Sequence, residues 1–130
     1  MDIGGYKLVY RSSAGTSDVS LATVPAGTML AAGGFYLFAG SGYTGSVPAD
    51  QSFSTGLAAT AGGVGLRDSN GVLLDSVGYG TATNAFVETA AAAAPAAGSS
   101  IASHPDGADT QSNAVDFTVG AITPRTSNGP

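Results

Sequence analysis

The dipeptide Asn70-Gly71 sits between two apolar runs, and it constrains the fold more than any other feature of the chain. Asn and Gly both tolerate positive φ, so the backbone reverses there without steric penalty. Residues 63–67 on one side and 72–77 on the other are predicted to form a β-hairpin. The same pattern recurs along the chain: residues 6–11, 19–24, 35–39, 100–104 and 115–119 are short runs bounded by Gly, Pro, Asn, Asp or Ser. Several of them alternate. Tyr6, Leu8 and Tyr10 share one face of an extended chain, and so do Val115, Phe117 and Val119, with Asp116 and Thr118 opposite. Strict alternation through Val72-Leu73-Leu74-Asp75-Ser76-Val77 puts Leu73, Asp75 and Val77 on one face. Pro25-Ala26-Gly27 reads as a second turn.

Helical periodicity is almost absent. The exception is the Ala-rich stretch of residues 84–99, expected to be a loop in which Thr83 or Asn84 would cap one or two helical turns over residues 87–94. Pro95 would end them and Gly98 would release the chain. The alternative reading there is a flexible low-complexity insert. Many short strands with Gly-rich turns and no interleaved helices indicate an all-β chain, a mainly antiparallel β-sandwich with at most a short helical turn in the Ala-rich loop. Its 130 residues suit one domain, expected over residues 1–122, with residues 123–130 as an exit linker.

Charge narrows the partners. Only 10% of residues are charged, with net charge −5, and Lys7, Arg11, Arg67 and Arg125 are scattered. Neutralising several phosphates needs clustered cations, so nucleic acid and polybasic membrane contact are not expected. The chain has no cysteine, hence no disulfide framework. The opening Met1-Asp2-Ile3-Gly4-Gly5-Tyr6 lacks the apolar stretch of a signal peptide. The most apolar segment, residues 30–39, is too short to cross a membrane, so no membrane insertion is expected.

The motifs that carry chemistry elsewhere are weak here. Gly40-Ser41-Gly42-Tyr43-Thr44-Gly45 matches a dinucleotide fingerprint, but Val47-Pro48 follows where a helix must begin. His104 adjoins Ser103, and neighbours on a strand point to opposite faces, so they cannot form a nucleophile–base pair. No spacing marks a catalytic carboxylate pair, and Asp75 reads as solvent-facing or held by backbone donors. Tyr36, Tyr43 and Tyr79 are candidates for stacking on a partner, although packing is the commoner fate of tyrosine. The richest polar stretch holds Asp106, Asp109, Asn113 and Asp116. These could supply oxygen ligands to Ca²⁺, the one cofactor under consideration. Asx turns between two strands account for the same residues without a metal.

Four stretches in order resemble the bacterial type of lamin tail domain. Asp2-Ile3-Gly4-Gly5-Tyr6-Lys7-Leu8 is similar to that family's Asp-Leu-x-Gly-Trp-x-Leu strand, with Tyr6 where Trp is usual. The stretch from Pro25 through Gly33-Gly34-Phe35-Tyr36-Leu37 resembles the turn and strand that follow. The stretch from Val64 through Asn70-Gly71 to Tyr79-Gly80 resembles the family hairpin. Gly98-Ser99-Ser100-Ile101, Asp109-Thr110, Asn113, Asp116-Phe117 and Thr123-Pro124 to Asn128 resemble its C-terminal pattern. The resemblance implies an immunoglobulin-like sandwich with no catalytic residues to transfer. It also implies about two strands ahead of Asp2, which this chain lacks, leaving an unpaired sheet edge open to self-association.

The expectation is a noncatalytic interaction or anchoring module of a larger secreted or cell-surface bacterial protein, with a protein as partner. The alternatives are a passive spacer and a metal-dependent hydrolase accessory or Ca²⁺-binding domain using the Asp-rich turn.

Overall fold

A computed structural model describes residues 1–129. The chain is mostly β, with strands β1 (Lys7–Ser12), β2 (Val19–Thr23), β3 (Phe38–Gly40), β4 (Gln51–Phe53), β5 (Ala61–Arg67), β6 (Leu73–Gly80), β7 (Ser100–Ser103) and β8 (Phe117–Gly120), and one short helix, α1 (Asn113–Asp116). Four strands form an antiparallel sheet in the order β2-β1-β5-β6. β7 and β8 form an antiparallel ribbon, and β3 and β4 a parallel one. β4 has no counterpart among the predicted runs. The predicted hairpin is β5–β6: Gly71 takes φ +86°, and Asp68 Oδ1 accepts the N–H groups of Asn70 and Val72 at 2.8 and 2.9 Å.

The pairing Leu8↔Leu66, Tyr10↔Val64 and Val64↔Val77 puts Leu8, Tyr10, Val64, Leu66 and Val77 on one face of the main sheet. The alternation read for Leu8 and Tyr10 therefore holds. It fails in β6. Leu66 pairs with Asp75 but Arg67 pairs with Leu73, so Leu74 is an extra, bulged residue. One extra residue inverts the parity beyond it. Leu73 thus lies on the face opposite Asp75, beside Gly65 and Phe86.

That second face is closed by the segment following β6. Phe86 is 1% exposed and lies across Gly63 and Gly65. A Cβ on Gly63 would meet Asn84 Oδ1 at 2.7 Å and the Phe86 Cβ at 3.0 Å, so a side chain there would displace the ring. The guanidinium carbons of Arg11 and Arg67 sit 4.8 and 5.9 Å from the ring centroid, within the range of cation–π attraction. Asp18 joins the two arginines, at 2.9 Å from Arg11 Nε and 2.6 Å from Arg67 Nε.

Two expectations are corrected here. Residues 87–94 are not helical. Ala92 is extended beside β6, its N–H bonded to Gly78 O and its C=O to Gly80 N–H, both at 2.8 Å. An unpaired strand edge offers partners that outweigh the helix propensity of alanine. Val115 and Asp116 belong to α1 rather than to a strand, so Val115 does not share the face of Phe117 and is 65% exposed. The segment expected to be an exit linker is tied back through Asn128 and Arg125. Asn128 donates its N–H to Asp106 Oδ1 at 2.8 Å and its side chain to Ser103 O at 3.0 Å, and Arg125 pairs with Asp50. Pro130 lies outside the described residues.

Candidate functional site

The four residues singled out for oxygen ligation take different roles. Asn113 and Asp116 lie three apart on the single turn of α1, and that spacing turns both inward; Asn113 is 0% and Asp116 3% exposed. Asn113 Oδ1 accepts the N–H groups of Gly78 and Glu88, each at 2.9 Å. Its Nδ2 donates to Ser76 O at 3.2 Å and to Glu88 Oε2 at 3.0 Å. One side-chain amide therefore stands in for a neighbouring strand along the outer edge of β6, next to the pairing supplied by Ala92. The backbone continues the link, with Asn113 N–H bonded to Glu88 O and Ala114 N–H to Ala90 O. The Asp116 carboxylate accepts the Thr110 N–H and hydroxyl, both at 2.8 Å.

Asp109 Oδ1 accepts from the Gln111 N–H and side-chain amide at 3.1 and 2.7 Å, and Asp106 accepts from Asn128. All four side chains thus take protein donors, in Asx-turn fashion or across the fold. No group of three or more His, Cys, Asp or Glu placed to hold a metal ion occurs among the described residues.

The knot around Asn113 gathers negative charge. Desolvation, then the charges of Asp109 and Asp75, push the Glu88 carboxyl above its usual value. Asp75, exposed at the strand edge, moves the same way through partial desolvation and then Asp109 and Asp116. The charges that act on both groups are all carboxylates, while Arg11 and Arg67 are engaged by Asp18 and Arg125 by Asp50. Thr89 and Gln111 adopt positive φ of 56° and 62°, a conformation that costs a non-glycine residue about 1 kcal/mol or more. The Thr89 hydroxyl donates to Gln111 O at 2.7 Å, holding the two strained residues together. Sequence reasoning picked out Asn113 as a possible ligand and missed its partners, because Glu88 and Ser76 carry no local signal of the contact.

The other candidates are dispersed. Gly40–Gly45 is a turn after β3, with Tyr43 N–H bonded to Gly40 O at 3.0 Å, and no helix follows. Ser103 Oγ accepts from Gly107 N–H at 3.3 Å and His104 N–H binds Asp116 O at 3.2 Å. The Tyr36 ring packs on Phe38 at 4.9 Å. Tyr79 is buried, and its hydroxyl, pushed up to about 12 by desolvation and then by Tyr10, donates to Ala58 O at 2.6 Å. Tyr43 remains the exposed ring of the three, at 39%.

What the surface does present is apolar. Val72, Leu73 and Leu74 are 57%, 37% and 49% exposed in succession. They follow the hairpin turn at the start of an edge strand, where Leu74 has no partner in β5. Farther along, Asn113 and Ala92 close the same edge. The opposite edge of the sheet is β2, where Thr23 O accepts from Gln51 Nε2 at 2.8 Å. Compared with known proteins, the chain matches no family model, no curated protein and no solved structure. No helix among the described residues is long and apolar enough to cross a membrane.

Proposed function

We propose that the chain is a noncatalytic interaction module of a larger secreted or cell-surface bacterial protein, built as an immunoglobulin-like β-sandwich of the lamin-tail type. Its partner is a protein. The observation that carries this reading is the run Val72-Leu73-Leu74, three consecutive exposed apolar residues where the hairpin turn leads into the edge strand β6. Such a run is unfavourable in water unless something covers it. An unpaired edge supplies backbone donors and acceptors to an added strand, and the apolar side chains add affinity.

The test pairs the domain with the proteins of its own source. The exchanges Val72→Thr and Leu74→Thr keep β propensity and remove exposed apolar surface. Chemical cross-linking should capture a partner with the unchanged domain and lose it with the double variant, while the unfolding free energy from urea titration stays within about 0.5 kcal/mol of the original, as for surface changes in general. Equal capture by both forms would rule out this surface. No specific capture by either would leave the domain as a spacer.

A further inference from the structure

We infer that the domain holds a binding site for a small, uncharged, apolar molecule between β5–β6 and the turn that precedes β7. The site is a cavity of about 580 Å³, within the size range of ligand pockets in proteins. Val64, Val77 and Tyr79 form its floor, residues 57–59 one wall, and residues 95–99 with Ile101 the other. Its walls are pinned rather than loose. Tyr79 Oη donates to Ala58 O at 2.6 Å and Tyr10 Oη accepts the Ala58 N–H at 3.3 Å, fixing the first wall to the sheet. Ser99 N–H and Oγ both donate to Ala96 O, at 3.0 and 2.7 Å, closing residues 96–99 of the second wall into a turn.

The chemistry of the lining selects the occupant. It contains no Asp, Glu, Lys, Arg or His, so an ion entering it would lose hydration with no countercharge. Its two polar side chains, Tyr79 and Ser99, already spend their donors on Ala58 O and Ala96 O. No lining side chain has a donor to spare, so a peptide C=O buried against them would lose its hydrogen bond to water. A molecule poor in charge and hydrogen-bonding groups avoids both penalties. The alanines at 58, 59, 96 and 97 leave the room that larger side chains would fill. This inference stands apart from the protein-binding surface, which lies at the other end of β6.

The test uses the neutral fluorophore N-phenyl-1-naphthylamine and its anionic relative 8-anilinonaphthalene-1-sulfonate. The neutral probe should bind saturably at one site, with at least tenfold preference over the sulfonate. Methyl NMR of the unaltered protein should show shifts at Val64, Val77 and Ile101. Val77→Phe, which fills the floor, should weaken the neutral probe at least tenfold. The methyl spectrum decides the site even if that variant folds poorly. Non-saturable binding, equal affinity for the sulfonate, or shifts confined to Val72 and Leu74 would each overturn the assignment.

Discussion

Replacing Asn113 by Ala removes the side chain that closes the outer edge of β6. Three backbone groups then lose a buried partner: the N–H groups of Gly78 and Glu88 and the C=O of Ser76. Each orphaned group costs about 1–3 kcal/mol. Some relaxation and water entry must follow, so the sum is about 3–5 kcal/mol rather than the arithmetic maximum. That is a large part of the ~5–15 kcal/mol by which a domain of this size is stable. With a urea slope of about 2 kcal/mol per M, the unfolding midpoint should drop by roughly 2 M. Asn113→Asp separates hydrogen bonding from charge. It keeps an acceptor for the two N–H groups but sets a carboxylate against Glu88, Asp75, Asp109 and Asp116. It should be destabilised at neutral pH and recover much of the loss as the cluster is protonated. A midpoint change worth less than about 1 kcal/mol for Asn113→Ala would refute the reasoning, because it would mean that the edge is closed without this side chain.

The wild-type protein should itself depend on pH in a defined sense. Glu88 and Asp75 are held above their ordinary values of 4.5 and 3.8, so the folded state takes up their protons first, and stability rises as pH falls from neutral through the raised values. Asp18 is held below its ordinary 3.8, chiefly by its hydrogen bond from Arg67; its contribution is complete above that value and is lost as pH falls through the folded one. Urea midpoints should therefore peak on the acid side of neutrality, and a steady decline from pH 7 downward would contradict the charge cluster. Gly63→Ala should cost about 1–3 kcal/mol by overpacking, since its Cβ would meet Asn84 and Phe86, and a melting curve unchanged within a degree would mean that the ring moves freely. Asp18→Asn should cost about 1 kcal/mol, and less in high salt; a loss independent of salt would argue against ion pairing with Arg11 and Arg67.

The candidate site was only half legible in advance. Asp109 bonds Gln111 two residues on, as Asx chemistry suggests from sequence alone, whereas Asp106 is met by Asn128 from 22 residues away. Asn113 bonds Gly78 and Glu88 across 35 and 25 residues, and nothing in its neighbours announces such contacts. An open edge was expected only from the resemblance, through strands missing ahead of Asp2. Its location at Val72–Leu74 depended on where Asn113 and Ala92 happened to cover the rest.

By itself, the sequence determined what depends on a residue and its near neighbours. Asn70-Gly71 requires the hairpin because its backbone reverses readily, and the alternation around Leu8 and Tyr10 requires an extended chain with one apolar face. Tertiary structure decided wherever two remote segments competed for the same groups. Ala92 gave up a helical tendency to pair with β6, since an unsatisfied strand edge costs more than a few tenths of a kcal/mol of propensity per residue. Val115 was turned outward because α1 had to bring Asn113 and Asp116 inward together. The bulge at Leu74 moved Leu73 onto the face of Phe86, where Gly65 leaves room for it. In each case the deciding interaction spans a distance along the chain over which local pattern carries no information.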